Sequence, residues 1–160
     1  VNMVKKAVSV VAVLVSALAL QAVVSAPAHA GGYGCSGNLV RSYPVPMKDM
    51  LDGSTYYISD VKVYYDAGSG WNCAVLAKRP SAFRYGKETP MFIQMFNSRW
   101  AEDRWKNNYD EDQGRFKYYA GPVRVYGKNL CLYIDASIGD HTGPGNDYNG
   151  KLRKSGVACG

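Results

Sequence analysis

Four cysteines, Cys35, Cys73, Cys131 and Cys159, constrain this 160-residue chain more than any other feature. No two of them lie within four residues of each other, so the close pairs that seed a zinc site are missing. Beyond the first thirty residues His141 is the only histidine, which leaves no His/Cys set for a metal. In an oxidising compartment such cysteines form two bridges across long loops, each stabilising by about 4–5 kcal/mol in the chain-entropy description. Three pairings are possible, and sequence alone does not choose among them. The preferred one is Cys35–Cys159, which would tie the two ends together, with Cys73–Cys131, which would join two strand-like segments.

The compartment is itself legible. Val1–Ala30 carries Lys5 and Lys6, an apolar stretch over Ala7–Val24, and Ala28-His29-Ala30. Charge, apolar run and small-residue site in that order are a secretory signal, with cleavage expected before Gly31. Ser9, Ser16 and Gln21 interrupt the apolar stretch and argue against a retained membrane anchor. Gly32-Tyr33-Gly34 ahead of Cys35 lacks the aliphatic residue that lipid attachment needs. The expected product is one secreted domain, 31–160, with no membrane association after cleavage. Losing Lys5 and Lys6 lowers its formal charge from +6 to +4. Cytosolic metabolism, several domains and intrinsic disorder are all disfavoured.

Residues 31–160 hold 18 Val, Ile and Leu against 13 Tyr, three Trp and four Phe, so the core has to borrow aromatic rings. β-branched and aromatic runs bounded by Gly, Asp and Asn read as strands, and no convincing helical period exceeds two turns. The strand-like segments are Leu39–Val45, Ser54–Tyr65, Trp71–Lys78, Met91–Asn97, Arg115–Tyr119, Val123–Tyr126, Leu130–Asp135 and the region Lys151–Cys159. Arg99–Arg115, charged around Trp100 and Trp105, reads as a surface loop, and Ala120-Gly121-Pro122 as a break between strands. Ser137–Gly150 reads as a Gly-, Asp- and Asn-rich loop. The expected fold is an all-β, small disulfide-stapled sandwich or barrel of about seven short strands.

No constellation stands out as catalytic, and the chain reads as a non-enzyme. His141 sits in a polar loop beside Asp140 and Thr142, where no cysteine nucleophile is free to join it. Glu88, Glu102 and Glu111 could supply the paired carboxylates of a glycosidase, but they lie among Lys, Arg and Asn as on any soluble surface. Asp135, Asp140, Asn146 and Asp147, or Asp110, Glu111 and Asp112, could offer oxygen ligands to calcium, yet neither run has the helix-loop-helix spacing. Asp and Asn populate turns for backbone reasons in any case. No metal and no cofactor is expected. Basic residues are scattered, with only Lys151, Arg153 and Lys154 clustered, which is not the continuous stripe that nucleic acid requires. Tyr56 and Tyr57, Tyr64 and Tyr65, and Tyr118 and Tyr119 form adjacent pairs, each sending one ring to each face of its strand. They are the candidate aromatic surface of a secreted binding module or inhibitor that would recognise a polysaccharide or another protein.

Gly34-Cys35, then Gly70-Trp71-Asn72-Cys73-Ala74-Val75, then Tyr119-Ala120-Gly121-Pro122-Val123-Arg124-Val125-Tyr126 ahead of Cys131, and finally Ser155-Gly156-Val157-Ala158-Cys159-Gly160 frame the domain. Together these segments resemble the spore-associated protein A family, small secreted proteins of filamentous spore-forming bacteria. The resemblance implies a non-catalytic protein found with spores or aerial hyphae, whose expected partner is a cell-wall or spore-surface polymer or protein. It carries over the four cysteines as structural positions and no catalytic residue.

Overall fold

The computed structural model describes residues 31–102 and 106–159. The expected secretory signal, 1–30, and Trp105 of the charged segment lie outside the described residues. Ten strands follow in chain order: β1 (Asn38–Pro44), β2 (Met47–Lys48), β3 (Thr55–Tyr56), β4 (Ser59–Asp66), β5 (Trp71–Lys78), β6 (Thr89–Asn97), β7 (Tyr109–Phe116), β8 (Tyr119–Tyr126), β9 (Leu132–Ile138) and β10 (Gly150–Val157). They build a four-stranded sheet in the order β1-β4-β5-β8 and a six-stranded sheet in the order β3-β2-β10-β9-β6-β7. Every strand pair is antiparallel. The expected disulfide-stapled all-β sandwich is what forms, with more strands than sequence patterning suggests.

Period-two alternation builds the core. Val61, Val63, Ala74, Leu76, Val123 and Val125 point inward from one sheet; Met91, Ile93, Met95, Leu132, Ile134 and Ile138 meet them from the other. β5 is buried on both faces, because the opening segment folds over the outside of its sheet. There Cys35, Tyr64, Cys73, Val75 and Ala77 form a second cluster, roofed by the Tyr33 and Tyr119 rings, which meet edge-on at 5.1 Å.

The bridges are Cys35–Cys73 and Cys131–Cys159, so the preferred pairing of Cys35 with Cys159 and Cys73 with Cys131 is wrong. The reason is topological. Cys73 lies on the outer face of the four-stranded sheet, where the opening segment reaches it. Cys131 precedes β9, whose Leu132 pairs with Val157 of β10, so Cys159 arrives beside it at the end of that hairpin. Each bridge therefore fastens a terminal segment to its own sheet.

Four further expectations fail. The charged run 99–115 is not a loop throughout: Tyr109–Phe116 is a strand at the edge of the six-stranded sheet. Ala120-Gly121-Pro122 does not split two strands but lies within β8, and the chain turns earlier, at Lys117–Tyr118. A bulge opposite Val75 accommodates Pro122, and β8 is an edge strand, where a missing N–H costs no ladder bond. The run 54–65 also breaks at Tyr57–Ile58, and Ser137 and Ile138 belong to β9 rather than to the loop.

Charge in β7 closes the sandwich on this side. Asp112 Oδ2 accepts the Gly121 N–H and Asp110 Oδ2 the Arg124 N–H, both at 2.7 Å, so two carboxylates satisfy the free edge of β8. Replacing either aspartate by alanine is expected to cost about 1–3 kcal/mol in denaturant unfolding, while asparagine, which keeps an acceptor oxygen, costs less. Equal losses for alanine and asparagine would remove this role.

Candidate functional site

The six paired tyrosines do not share a surface. Tyr64 is buried in the outer cluster, and Tyr119 roofs it. Tyr65 lines a small slot with Val40 and Arg41. Tyr56, Tyr57 and Tyr118 lie at one end of the sandwich. Tyr56 donates to Asp140 Oδ2 at 2.6 Å, and burial together with that carboxylate pushes its hydroxyl up to about 12. Burial alone would raise Asp140, but hydrogen bonds from Tyr56 and Asn149 hold it below the usual carboxylate range. Tyr57 lies beneath the Arg79 guanidinium, 5.5 Å from its ring centre, and Tyr118 meets Tyr85 edge-on at 5.0 Å. The same end exposes Phe83 and the loop-tip residues Met50 and Leu51, the last 97% exposed.

Behind this end lies Lys78, only 2% exposed. Its ammonium donates to the carbonyls of Lys87 at 2.6 Å and Phe116 at 2.8 Å, tying the 79–88 loop to the end of β7. Burial pushes it down to about 8; Arg115 and Arg84 add to the shift and Glu88 opposes it.

A different surface assembles more of the chemistry that recognises a ligand. Alternation that sends Met91, Ile93 and Met95 into the core turns Phe92, Gln94 and Phe96 outward on β6. Register then aligns their neighbours in rows: Gln113, Phe92, Ser137 and Lys151; Glu111, Gln94, Asp135 and Arg153; Tyr109, Phe96 and Tyr133. The middle row is a polar ladder. Gln94 Nε2 donates to Asp135 Oδ2 at 3.0 Å, and Arg153 Nε to Asp135 Oδ1 at 2.8 Å. Tyr109 donates to Glu111, and its hydroxyl lies 3.2 Å from Gln94 Oε1.

Aromatic rings flank this ladder on both sides. Phe96 and Tyr133 stack at 5.1 Å with planes 8° apart, and Trp100 leans on Phe96 at 5.5 Å. On the other side Gln113 Nε2 donates to the Tyr148 hydroxyl at 3.1 Å, bringing that ring up beside Phe92. The result is an open groove of about 720 Å³ along the sheet, with Phe92, Gln94, Gln113, Asp135, Tyr148 and Arg153 in its lining.

None of these groove residues belongs to the paired tyrosines. The signal for them was the alternation of 91–97, which shows that Phe92, Gln94 and Phe96 share a face; which strands lie beside β6 is a matter of pairing. The two acidic runs considered for calcium do not converge. Asp135 is committed to Gln94 and Arg153, Asp140 to Tyr56, and Asp110 and Asp112 to the edge of β8. Among the described residues no three His, Cys, Asp or Glu side chains gather as a metal set, and no helix is long and apolar enough to cross a membrane. His141 lies 3.2 Å from the Asp147 carbonyl, within its own loop.

Comparison with protein-family models, with curated proteins and with solved structures found no match for this chain.

Proposed function

We propose that this chain is a secreted, non-catalytic protein of the spore or aerial hyphal surface, held there by a polysaccharide lying along the exposed face of its six-stranded sheet. The observation that carries the reading is the row Glu111–Gln94–Asp135–Arg153, hydrogen-bonded directly from Gln94 to Arg153 and through the Tyr109 hydroxyl to Glu111, with rings on either side. A pyranose ring presents C–H faces that pack on aromatic rings and equatorial hydroxyls that both donate and accept. Amide, carboxylate and guanidinium groups already fixed by one another meet those hydroxyls with little further loss of side-chain freedom. The spore or hyphal location rests on the resemblance of the Tyr119–Tyr126 segment and the cysteine frames. Two bridges would also suit a surface that dries, where irreversible unfolding is the hazard.

The test is retention on insoluble chitin and peptidoglycan, with a mild detergent wash of intact spores set beside the spent medium. Phe92→Ala combined with Tyr148→Ala is expected to weaken retention about tenfold, since two lost ring contacts at about 0.5–1.5 kcal/mol each come to about 1–3 kcal/mol, a range that spans the 1.4 kcal/mol of one decade. Tyr118→Ala, at the other end, should leave it unchanged. Failure to bind either polymer, together with recovery only from the medium, would end the reading.

A second reading is favoured by the aromatic end. Met50, Leu51, Tyr57, Phe83, Tyr85 and Tyr118 are all exposed there, which suits docking to a protein. Its discriminator is capture of a secreted protein that is lost in Tyr57→Ala and Tyr118→Ala but kept in the groove variant.

A further inference from the structure

We propose that the polymer this face takes is a carboxylate-bearing linear polysaccharide, its acid groups held by Lys151 and Arg153 along the β10 bank of the groove; this rests on the sugar-binding reading above. Register places Lys151 beside Ser137 and Arg153 beside Asp135, so both cations project from the same face of one strand. Two residues along a strand separate their Cα atoms by about 7 Å. Asp135 does not cancel them. Its two oxygens are taken by Gln94 Nε2 and Arg153 Nε, one carboxylate against two cations.

Arg153 is bound through Nε alone, and its side chain is 86% exposed. Its two terminal nitrogens meet no acceptor among the described residues, so the outer edge of a guanidinium oriented by Asp135 faces the groove mouth. That edge matches the two oxygens of a planar carboxylate. Lys151 likewise makes no ion pair or side-chain hydrogen bond among the described residues, and it is exposed. The remaining acid of the middle row, Glu111, sits at the far end on β7 and is turned to Tyr109. The groove is thus lined by the neutral Gln113 from β7 and by the cations Lys151 and Arg153 from β10, with Asp135 between them and Glu111 outside the lining. A chain following β10 passes the cations while its ring faces reach Phe92 and Tyr148. The Tyr148 hydroxyl accepts from Gln113 and keeps its own proton to donate.

Polygalacturonate and its fully methyl-esterified form separate charge from sugar, because backbone and linkage are the same. The whole protein should bind the acid form at least about tenfold more tightly than the ester at low salt. The difference should collapse in about 1 M salt, where the screening length falls to about 3 Å. Lys151→Gln with Arg153→Gln should erase the difference between acid and ester, with ester binding itself weakened because Arg153 also serves the sugar hydroxyls. Lys151→Gln alone, which leaves the Asp135 pair intact, should reduce it by part. Equal binding of acid and ester, with loss in the Phe92/Tyr148 variant, would overturn the carboxylate inference and leave the sugar reading standing. A preference for the acid that survives in the double variant would also overturn it, as would equally tight binding of polyphosphate, which has no ring to stack. Binding of neither form, with chitin and peptidoglycan retained, removes the inference alone; loss of all four polymers removes both readings.

Discussion

Replacing Cys35 and Cys73 together by alanine is expected to destabilise the domain by about 4 kcal/mol, from the 38-residue separation that this bridge closes. For a chain of this size that is a fall in Tm of about 15 °C. The loss has a second source besides chain entropy. Cys35 anchors the segment that places Tyr33 over Tyr64, Val75 and Ala77, and the cluster's cover depends on that anchor. The Lys62 ammonium and the Arg124 guanidinium also reach this segment, at the Tyr33 hydroxyl and the Gly34 carbonyl, but both bonds are weak holds at the surface. Loss of the bridge should therefore raise binding of an apolar dye while the main core stays folded. The Cys131–Cys159 bridge closes 28 residues and should cost slightly less, without the dye response, since it closes the end of a hairpin held in its sheet between β2 and β6. Thermal unfolding of the two double variants, with non-reducing peptide mapping of the native protein, measures this. An unchanged Tm on removing Cys35–Cys73 would refute the anchoring role, and a peptide linking Cys35 to Cys159 would refute the pairing.

Stability should rise with pH between about 8 and 10.5, against the usual trend for a basic group with an acidic partner. The cause is Lys78. Folding lowers its pKa from 10.5 to about 8, because the ammonium is buried against carbonyls with Arg115 and Arg84 nearby. Between those two values the unfolded chain binds the extra proton and the folded one does not, so raising the pH favours the fold. The penalty on the charged form is fully present below about 8 and is relieved as the pH climbs toward 10.5, a gain of about 2–3 kcal/mol at most. The neutral amine still has two N–H groups for the two carbonyls it serves. Tyr56 acts in the opposite sense at higher pH. Its hydroxyl is raised from 10.0 to about 12, so its contribution is intact below 10 and lost as pH rises through 12. A stability maximum near pH 10 follows. Denaturant titrations at pH 7, 8.5 and 10 should show the rise in the native protein and its absence in Lys78→Met. The same rise in both would remove Lys78 as its source.

Much of the fold was legible in the residues. Trp71–Lys78 emerges as a strand with the bounds read for it, because Gly70 and Arg79-Pro80 punctuate it on either side. β4 carries apolar residues of both parities, with Val61 and Val63 in the core and Tyr64 in the outer cluster. What misled was charge. Tyr109–Phe116 looks like a loop since Asp, Glu and Gln fill it, yet at a sheet edge its outward residues meet water while Asp110 and Asp112 serve the edge of β8. Local polarity reports exposure, and an edge strand is as exposed as a loop.

The paired tyrosines show the same limit for the site. Adjacency on a strand guarantees that two rings point to opposite faces, but which face is water depends on what packs against the sheet. Tyr64 is buried because the opening segment lies over it; Tyr118, at the turn before β8, is covered only in part, by the Tyr85 ring. Gln94, Asp135 and Arg153, far apart in the chain, become one ladder only through strand pairing.

By itself, then, the sequence determined an all-β domain with two bridges and no helical layer, since hydrophobic period, turn residues and cysteine number are local properties that every strand carries with it. Which cysteines pair, which tyrosines reach solvent and which side chains share a groove were decided by the tertiary structure. Those depend on strand order and register, and register is set by the packing of two whole faces at once, which no single segment contains.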